Sequence, residues 1–319
     1  NVVGSNIFNL MVVIGVCAML ATVNVAKETI TRDIPLSLIC AGLLMLFGSV
    51  GIGDKSDLTL GRFDGVILIA FFAGYLFYMV KIALKASREG KSVEIEGGSD
   101  EDIKIVSVPV SIIFIVGGAI AIAFGGDVTV DAASRIASDL GMSQTLIGLT
   151  IVSIGTSLPE LVTSIVAARK NEVDMAVGNA VGSNIFNIAA ILGISAAIQP
   201  LQAKRQLTRL DIPILIVATA VFTLLFWNGV LGRLEGCFFL AGIIIYTVFS
   251  LYYSRKHEKK VEEQIGELEK QPEPWYKDVL YIVGGLVILI FASNLLVNNA
   301  VSIAQELGVS EAVIGLTIV

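Results

Sequence analysis

Gly155-Thr156-Ser157-Leu158-Pro159-Glu160 lies in the middle of an apolar run from Gln144 to Ala168. A carboxylate at the centre of a membrane span costs roughly 2.5 to 3.5 kcal/mol on insertion scales, so such residues mark ion or substrate paths by default. Glu160 is therefore the first functional candidate, and an interhelical hydrogen-bonding partner is its alternative reading. Gly155 loosens a helix, and Pro159 removes a backbone donor and crowds the preceding turn. The helix is thus expected to kink or break beside the carboxylate. A break at mid-membrane frees carbonyl oxygens to meet a cation. Thr156 and Ser157, four and three residues before Glu160, share its helical face if helix persists there. Carboxylate, hydroxyl and carbonyl oxygens are the donors that hard cations select.

The surrounding chain agrees with a membrane setting. Its 319 residues are 55% hydrophobic and 16% charged, and the mean hydropathy is +0.82, far above a soluble domain. At about 20 apolar residues per span, full spans are expected near 5–24, 34–51, 62–84, 107–125, 144–168, 174–199, 210–228, 234–253 and 278–297, with a tenth cut short at Val319. The fold class is an all-α polytopic membrane protein whose partner is the lipid bilayer, and the plasma (inner) membrane is the expected location. The net charge of −6 sits mostly in polar linkers and gives no support for nucleic-acid binding. Cys17, Cys40 and Cys237 are unclustered within apolar spans and read as small core residues. His257 is the sole histidine, so neither a histidine metal site nor a catalytic triad can be built. An enzyme is not expected, and no cofactor is. Asn1 follows no cleavable signal pattern and reads as lying inside a longer chain.

Two copies of one unit are present. Asn1 to Asn9 reads Asn-Val-Val-Gly-Ser-Asn-Ile-Phe-Asn, and 178 positions later Asn179 to Asn187 reads Asn-Ala-Val-Gly-Ser-Asn-Ile-Phe-Asn. Asp33-Ile34-Pro35 matches Asp211-Ile212-Pro213 at the same offset, and Gly61-Arg62-Phe63-Asp64-Gly65 matches Gly232-Arg233-Leu234-Glu235-Gly236 at 171. Ile115 to Gly118 matches Ile282 to Gly285, and Leu146 to Val152 matches Val313 to Val319, both at 167. The ends therefore fall inside one repeat. Residues 1–88 form the later part of one repeat with about three spans, 89–104 a polar linker, and 105–256 the complete second repeat with about five. Residues 257–273 form a second linker, and 274–319 the beginning of the first repeat. Either the order is permuted or the chain is a piece of one with more than two units. An odd number of spans per unit makes successive copies enter the membrane from opposite sides, as in the inverted repeats of secondary transporters.

The linkers and loops add little. The acidic stretch from Lys85 to Lys104 reads as solvated, with a regulatory cation site as its alternative, and Arg255 to Lys277 as a short exposed helix followed by a break at Pro272 and Pro274. Of the 22 Lys and Arg, 10 fall to one side and 12 to the other, too even for the positive-inside rule to set an orientation.

A second polar stripe completes the site. Asn179, Ser183 and Asn187 recur every four residues on one helix face, and Asn1, Ser5 and Asn9 repeat them. They read either as interhelical glue, chiefly for Asn179 and Asn1, or as hydroxyl and amide oxygens completing a shell for Na⁺ or Ca²⁺ beside the carboxylate. Thr163 and Ser164 read as glue.

Gly-Thr-Ser-Leu-Pro-Glu at 155–160, followed by Gly-Asn-x-x-Gly-Ser-Asn-x-x-Asn at 178–187, resembles the α-repeat of the calcium/cation antiporter superfamily, in particular its sodium/calcium exchanger branch. The resemblance extends over the whole chain. It implies ten spans in two inverted repeats and alternating access around a central cation cluster. The implied ligands are Thr156, Ser157, Glu160, Ser183 and Asn187 with the Ser153 carbonyl from one repeat, and Ser5 and Asn9 from the other. The second Gly-Thr-Ser-Leu-Pro-Glu is absent from this sequence, so weak Ca²⁺ binding is expected of the chain as it stands. Asn9 and Asn187 both stand where several exchangers carry one Asp, which bears on K⁺ co-transport and on the number of Na⁺ sites. The order of the repeat halves also differs from the family's. The expected function is a secondary antiporter exchanging Na⁺ for Ca²⁺. The alternatives are a Ca²⁺/H⁺ antiporter, a cation channel and an inactive fragment lacking one motif. With no Walker-type Gly-x-x-x-x-Gly-Lys-Ser/Thr, ATP-driven transport is not expected.

Overall fold

A computed structural model of the chain describes residues 2–25, 27–50, 59–89, 108–142, 147, 151–202, 207–257 and 275–307. The acidic linker, the helix expected after Arg255, Asn1 and the match at Val313 to Val319 lie largely or wholly outside these. Ten helical elements carry the described chain. They are α1 (Val2–Leu20), α2 (Thr29–Gly48), α3 (Arg62–Glu89), α4 (Val108–Asp139), the single turn α5 (Ser153–Gly155), α6 (Leu158–Arg169), α7 (Val173–Ile198), α8 (Leu207–Asn228), α9 (Arg233–His257) and α10 (Trp275–Leu307). Among the described residues eight helices are long and apolar enough to cross a membrane, and they coincide with eight of the nine full spans expected from hydropathy. The ninth, around 144–168, is the interrupted pair α5 and α6.

The repeat governs local structure as well as sequence. π-helical turns open at Asn9–Val13 and Phe186–Leu192, 178 positions apart in register, and again at Thr29–Asp33 and Leu207–Asp211. Nothing in the side-chain pattern announces them. Two antiparallel two-residue ribbons join the halves: β1 (Val23–Asn24) pairs with β4 (Val230–Leu231), and β2 (Thr59–Leu60) with β3 (Leu201–Gln202). Exchanging the two repeats turns one ribbon into the other, so the halves are related by a pseudo-twofold axis.

The Gly-Arg-x-acid-Gly motif is explained by its geometry. Asp64 Oδ2 accepts from the Gly61 N–H at 2.8 Å, and Glu235 Oε2 accepts from the Gly232 N–H at 3.0 Å. Each carboxylate thereby takes up one of the backbone donors left open at a helix start. The motif's last glycine is a contact point. A Cβ on Gly65 would stand 2.6 Å from the Gly193 carbonyl oxygen, and one on Gly236 would stand 2.8 Å from that of Gly15.

α4 and α10, of 32 and 33 residues, are the two helices related by the offset of 167, and they pack along each other. At about 1.5 Å per residue each is close to 50 Å long, more than a bilayer core of about 30 Å, so they tilt or protrude. Arg135 Nε near the end of α4 donates to Asp278 Oδ1 near the start of α10 at 2.6 Å, so the pair runs antiparallel. The expected ends at 125 and 297 were too early. Gly125 and Gly126, at the expected end, are packing surfaces within α4. A Cβ on Gly125 would lie 2.9 Å from the Gly285 carbonyl oxygen, and one on Gly126 would lie 3.2 Å from Pro159 Cγ.

Cys17 and Cys40 are buried as expected, whereas Cys237 is exposed. On α9 it follows Gly236, the residue in contact with α1, and points outward beside Met19.

Candidate functional site

The interruption in the fifth span is produced by its own sequence. Thr156 and Ser157 form a turn between α5 and α6, and Ser157 stands at φ −107°, ψ 7°. Its N–H donates to Ile154 O at 3.1 Å and so passes over Ser153 O, its partner in a continuous helix. Pro159 has no N–H to offer Gly155 O. Two carbonyls at the break thereby lose their helical donors, and one is Ser153's. Gly155 is buried against Val130 of α4 with no room for a Cβ.

Ser157 and Glu160 have the Ser-x-x-Glu spacing of a capping box, in which each side chain satisfies a backbone donor of the new helix. Ser157, the N-cap, makes no side-chain cap bond. Its Oγ is buried without a partner among the described residues, and so is Glu160 Oε2. Buried polar atoms are nearly always hydrogen-bonded, so these oxygens are available to something else. Thr156 does not share their face, because the helix does not persist through it. It is exposed, and its Oγ1 shares a hydrogen bond with Ser5 Oγ at 3.0 Å, which joins the break to α1 of the opposite repeat.

α1 and α7 supply the remaining candidates. Asn9 is fully buried, with its Oδ1 unpartnered among the described residues. Ser183 and Asn187 are half-buried on α7. Asn179 ties α7 to α6 by donating to Glu160 O at 3.3 Å and to Ser164 Oγ at 3.0 Å, while its own Oδ1 is buried with no partner among the described residues. Thr163 and Ser164 are glue as expected. Thr163 pairs with Ser293 of α10 at 3.2 Å, and Ser164 Oγ donates to Ala176 O at 3.4 Å.

Two residues at the centre escape the four-residue stripe. Asn6 Nδ2 donates to Asn184 O at 3.1 Å, and Asn184 Nδ2 donates to Asn6 O at 3.2 Å. Asn9 Nδ2 donates to Asn184 Oδ1 at 3.2 Å, and Asn187 Nδ2 to Asn6 Oδ1 at 3.0 Å. These four bonds exchange under the pseudo-twofold, which places the axis between α1 and α7. The readable signal was the recurrence of an asparagine inside apolar helix in both copies. Among the described residues no group of three or more His, Cys, Asp or Glu side chains could hold a metal ion. The cluster is one carboxylate among hydroxyl, amide and carbonyl oxygens, a donor set for a hard cation rather than a soft one.

Interlocked repeats, a helix broken beside a carboxylate, and buried oxygens without partners among the described residues define a multi-pass integral membrane protein of the secondary-transporter class. Residues 1–81, 110–252 and 277–319 match the sodium/calcium exchanger protein family, and the chain belongs to that family. It is 37% identical over 213 residues to the putative antiporter CaxA of Alkalimonas amylolytica, a match covering 66% of each chain. It is 32% identical over 253 residues to the inner membrane protein YrbG of Escherichia coli, covering 79% of this chain and 76% of the relative. The solved sodium/calcium exchanger from Methanococcus jannaschii superposes with a TM-score of 0.62 at 29% identity, over 78% of this chain and 74% of that one.

Proposed function

We propose that the protein is a secondary antiporter that exchanges Na⁺ for Ca²⁺ across the membrane by alternating access, with the cations held at the helix break. The observation that carries this reading is that Ser157 Oγ and Glu160 Oε2 at the helix break, and Asn9 Oδ1 on α1, are buried without a hydrogen-bond partner among the described residues. An unsatisfied polar atom in an apolar interior costs on the order of 1–3 kcal/mol, and these oxygens are of the kind a hard cation engages. Glu160, Thr156, Ser157, Ser183, Asn187, Ser5, Asn9 and the Ser153 carbonyl are the proposed ligands. The match to solved and curated members of the family supports cation exchange as the activity. A second reading, H⁺ as counter-ion, is favoured by Glu160 being the one titratable group in the set, since a proton on it competes directly with the metal.

The intact protein reconstituted in liposomes tests this. Ca²⁺ should enter only against an opposing Na⁺ gradient. Uptake that instead follows an imposed pH gradient, and vanishes when a protonophore dissipates it, would establish the H⁺ reading. Ca²⁺ movement with neither gradient present would replace both by a channel.

A further inference from the structure

Asn6 and Asn184 are 0% and 1% exposed, lie outside the proposed ligand set, and have every amide atom engaged. The Nδ2 of each is given to the other's backbone carbonyl. The Oδ1 of each receives the Nδ2 of a ligand asparagine from the opposite repeat: Asn184 that of Asn9, and Asn6 that of Asn187. An asparagine amide is planar, and its χ2 torsion is broad and nearly two-fold. Nothing intrinsic decides whether its oxygen or its NH₂ faces a neighbour. Once Nδ2 is committed to an acceptor, the oxygen on the other side of the plane must point away from it. Asn9 shows the result, with Nδ2 bonded and Oδ1 buried without a partner among the described residues. Turning the amide over would set its oxygen against Asn184 Oδ1, acceptor against acceptor, so Asn184 enforces this orientation.

We infer that Asn6 and Asn184 are crossed positioning residues: each fixes the amide of the ligand asparagine in the opposite repeat so that a carbonyl oxygen, and not an NH₂, faces the cation. This rests on the proposed cation site at Asn9 and Asn187. The crossing has a specific consequence. A fault introduced in one repeat is felt at the ligand of the other, and the ligand of its own repeat is spared. Partners that orient a metal ligand commonly change affinity by about ten- to a hundredfold, so a tenfold rise in the apparent KM for the transported cation is expected, with the maximal rate much less affected.

The test uses the full-length protein in liposomes, with Na⁺-driven ⁴⁵Ca²⁺ uptake as readout and thermal melting as the control for folding. Asn184→Ala should raise KM about tenfold. It should add nothing further in an Asn9→Ala background, yet multiply with Asn187→Ala. Asn6→Ala should show the reverse pattern, silent on Asn187→Ala and multiplicative with Asn9→Ala. Equal multiplication in both backgrounds overturns the inference in favour of simple packing.

Side-chain amide NMR supplies an arm independent of transport and, in the unsubstituted protein, of any variant. The Nδ2 protons of Asn9 and Asn187 should each include one shifted by hydrogen bonding. Asn184→Ala should release the Asn9 proton and leave that of Asn187 in place. Unshifted protons in the unsubstituted protein also overturn the inference. If the NMR pattern is crossed but no cation is exchanged, the proposed function falls and the amide geometry stands. If exchange is normal and the coupling uncrossed, the positioning role falls alone.

Discussion

Glu160→Gln should lower Ca²⁺ exchange by more than a hundredfold while leaving the melting temperature of the purified protein nearly unchanged. The amide keeps the size of the side chain, so the break at Thr156–Ser157 and the packing of α6 on α7 have no reason to move. Asn179 bonds the backbone oxygen of Glu160, not the carboxylate. What changes is charge. Glu160 brings the only formal negative charge in the proposed ligand set, and the other donors are neutral. Losing even an outer-shell partner commonly costs about ten- to a hundredfold in metal affinity, so a charged ligand should cost more. The carboxylate must also be free of its proton to hold the ion. Ca²⁺ affinity of the unsubstituted protein should therefore weaken as pH falls, measurable by Ca²⁺ binding between mildly acidic and mildly alkaline pH. Near-normal exchange in Glu160→Gln, or affinity independent of pH in its parent, would remove Glu160 from the site.

Gly65→Val should be the most damaging substitution away from the cations. A Cβ there would lie 2.5 Å from the Ala197 nitrogen and 2.6 Å from the Gly193 oxygen. Both are backbone atoms, which cannot rotate aside as a side chain would. α3 and α7 must then separate, and α7 carries Ser183 and Asn187. Overpacking typically costs about 1–3 kcal/mol, occasionally more, and with backbone on both sides the upper end is expected. Gly74, on the same helix, has nothing within 4 Å of its would-be Cβ. Gly74→Val controls for the helix propensity of valine and should melt close to the parent. If the two variants melt alike in detergent, the contact is not tight.

The sequence announced the architecture because repetition is a long-range signal that needs no geometry. Pro159 and Gly155 likewise announced the break, since one lacks a donor and the other a side chain. Asn6 and Asn184 escaped notice for a physical reason. Periodicity finds residues that share a face, whereas these two work across a contact between segments 178 positions apart. The π turns escaped because no residue type encodes them. α4 and α10 run past the expected ends because about 20 apolar residues measure the bilayer core and not the length of the helix that crosses it. Cys237 was misjudged because a cysteine in an apolar span can face lipid as well as core.

The contacts between the halves have one more property. Ribbon meets ribbon, glycine crossing meets glycine crossing, and Asn6 grips Asn184 through the same nine-residue segment on either side. Every surface one half offers is also the surface it needs, as in an isologous homodimer. An unfused single unit that inserted both ways round would find its complement in its own upturned copy. Residues 105–256 reconstituted alone in mixed orientation are therefore expected to self-associate, as read by cross-linking; a persistent monomer would refute this. On that account fusion of two units preceded their divergence, and the pseudo-twofold axis through the asparagines is the trace of an ancestral pair of identical chains.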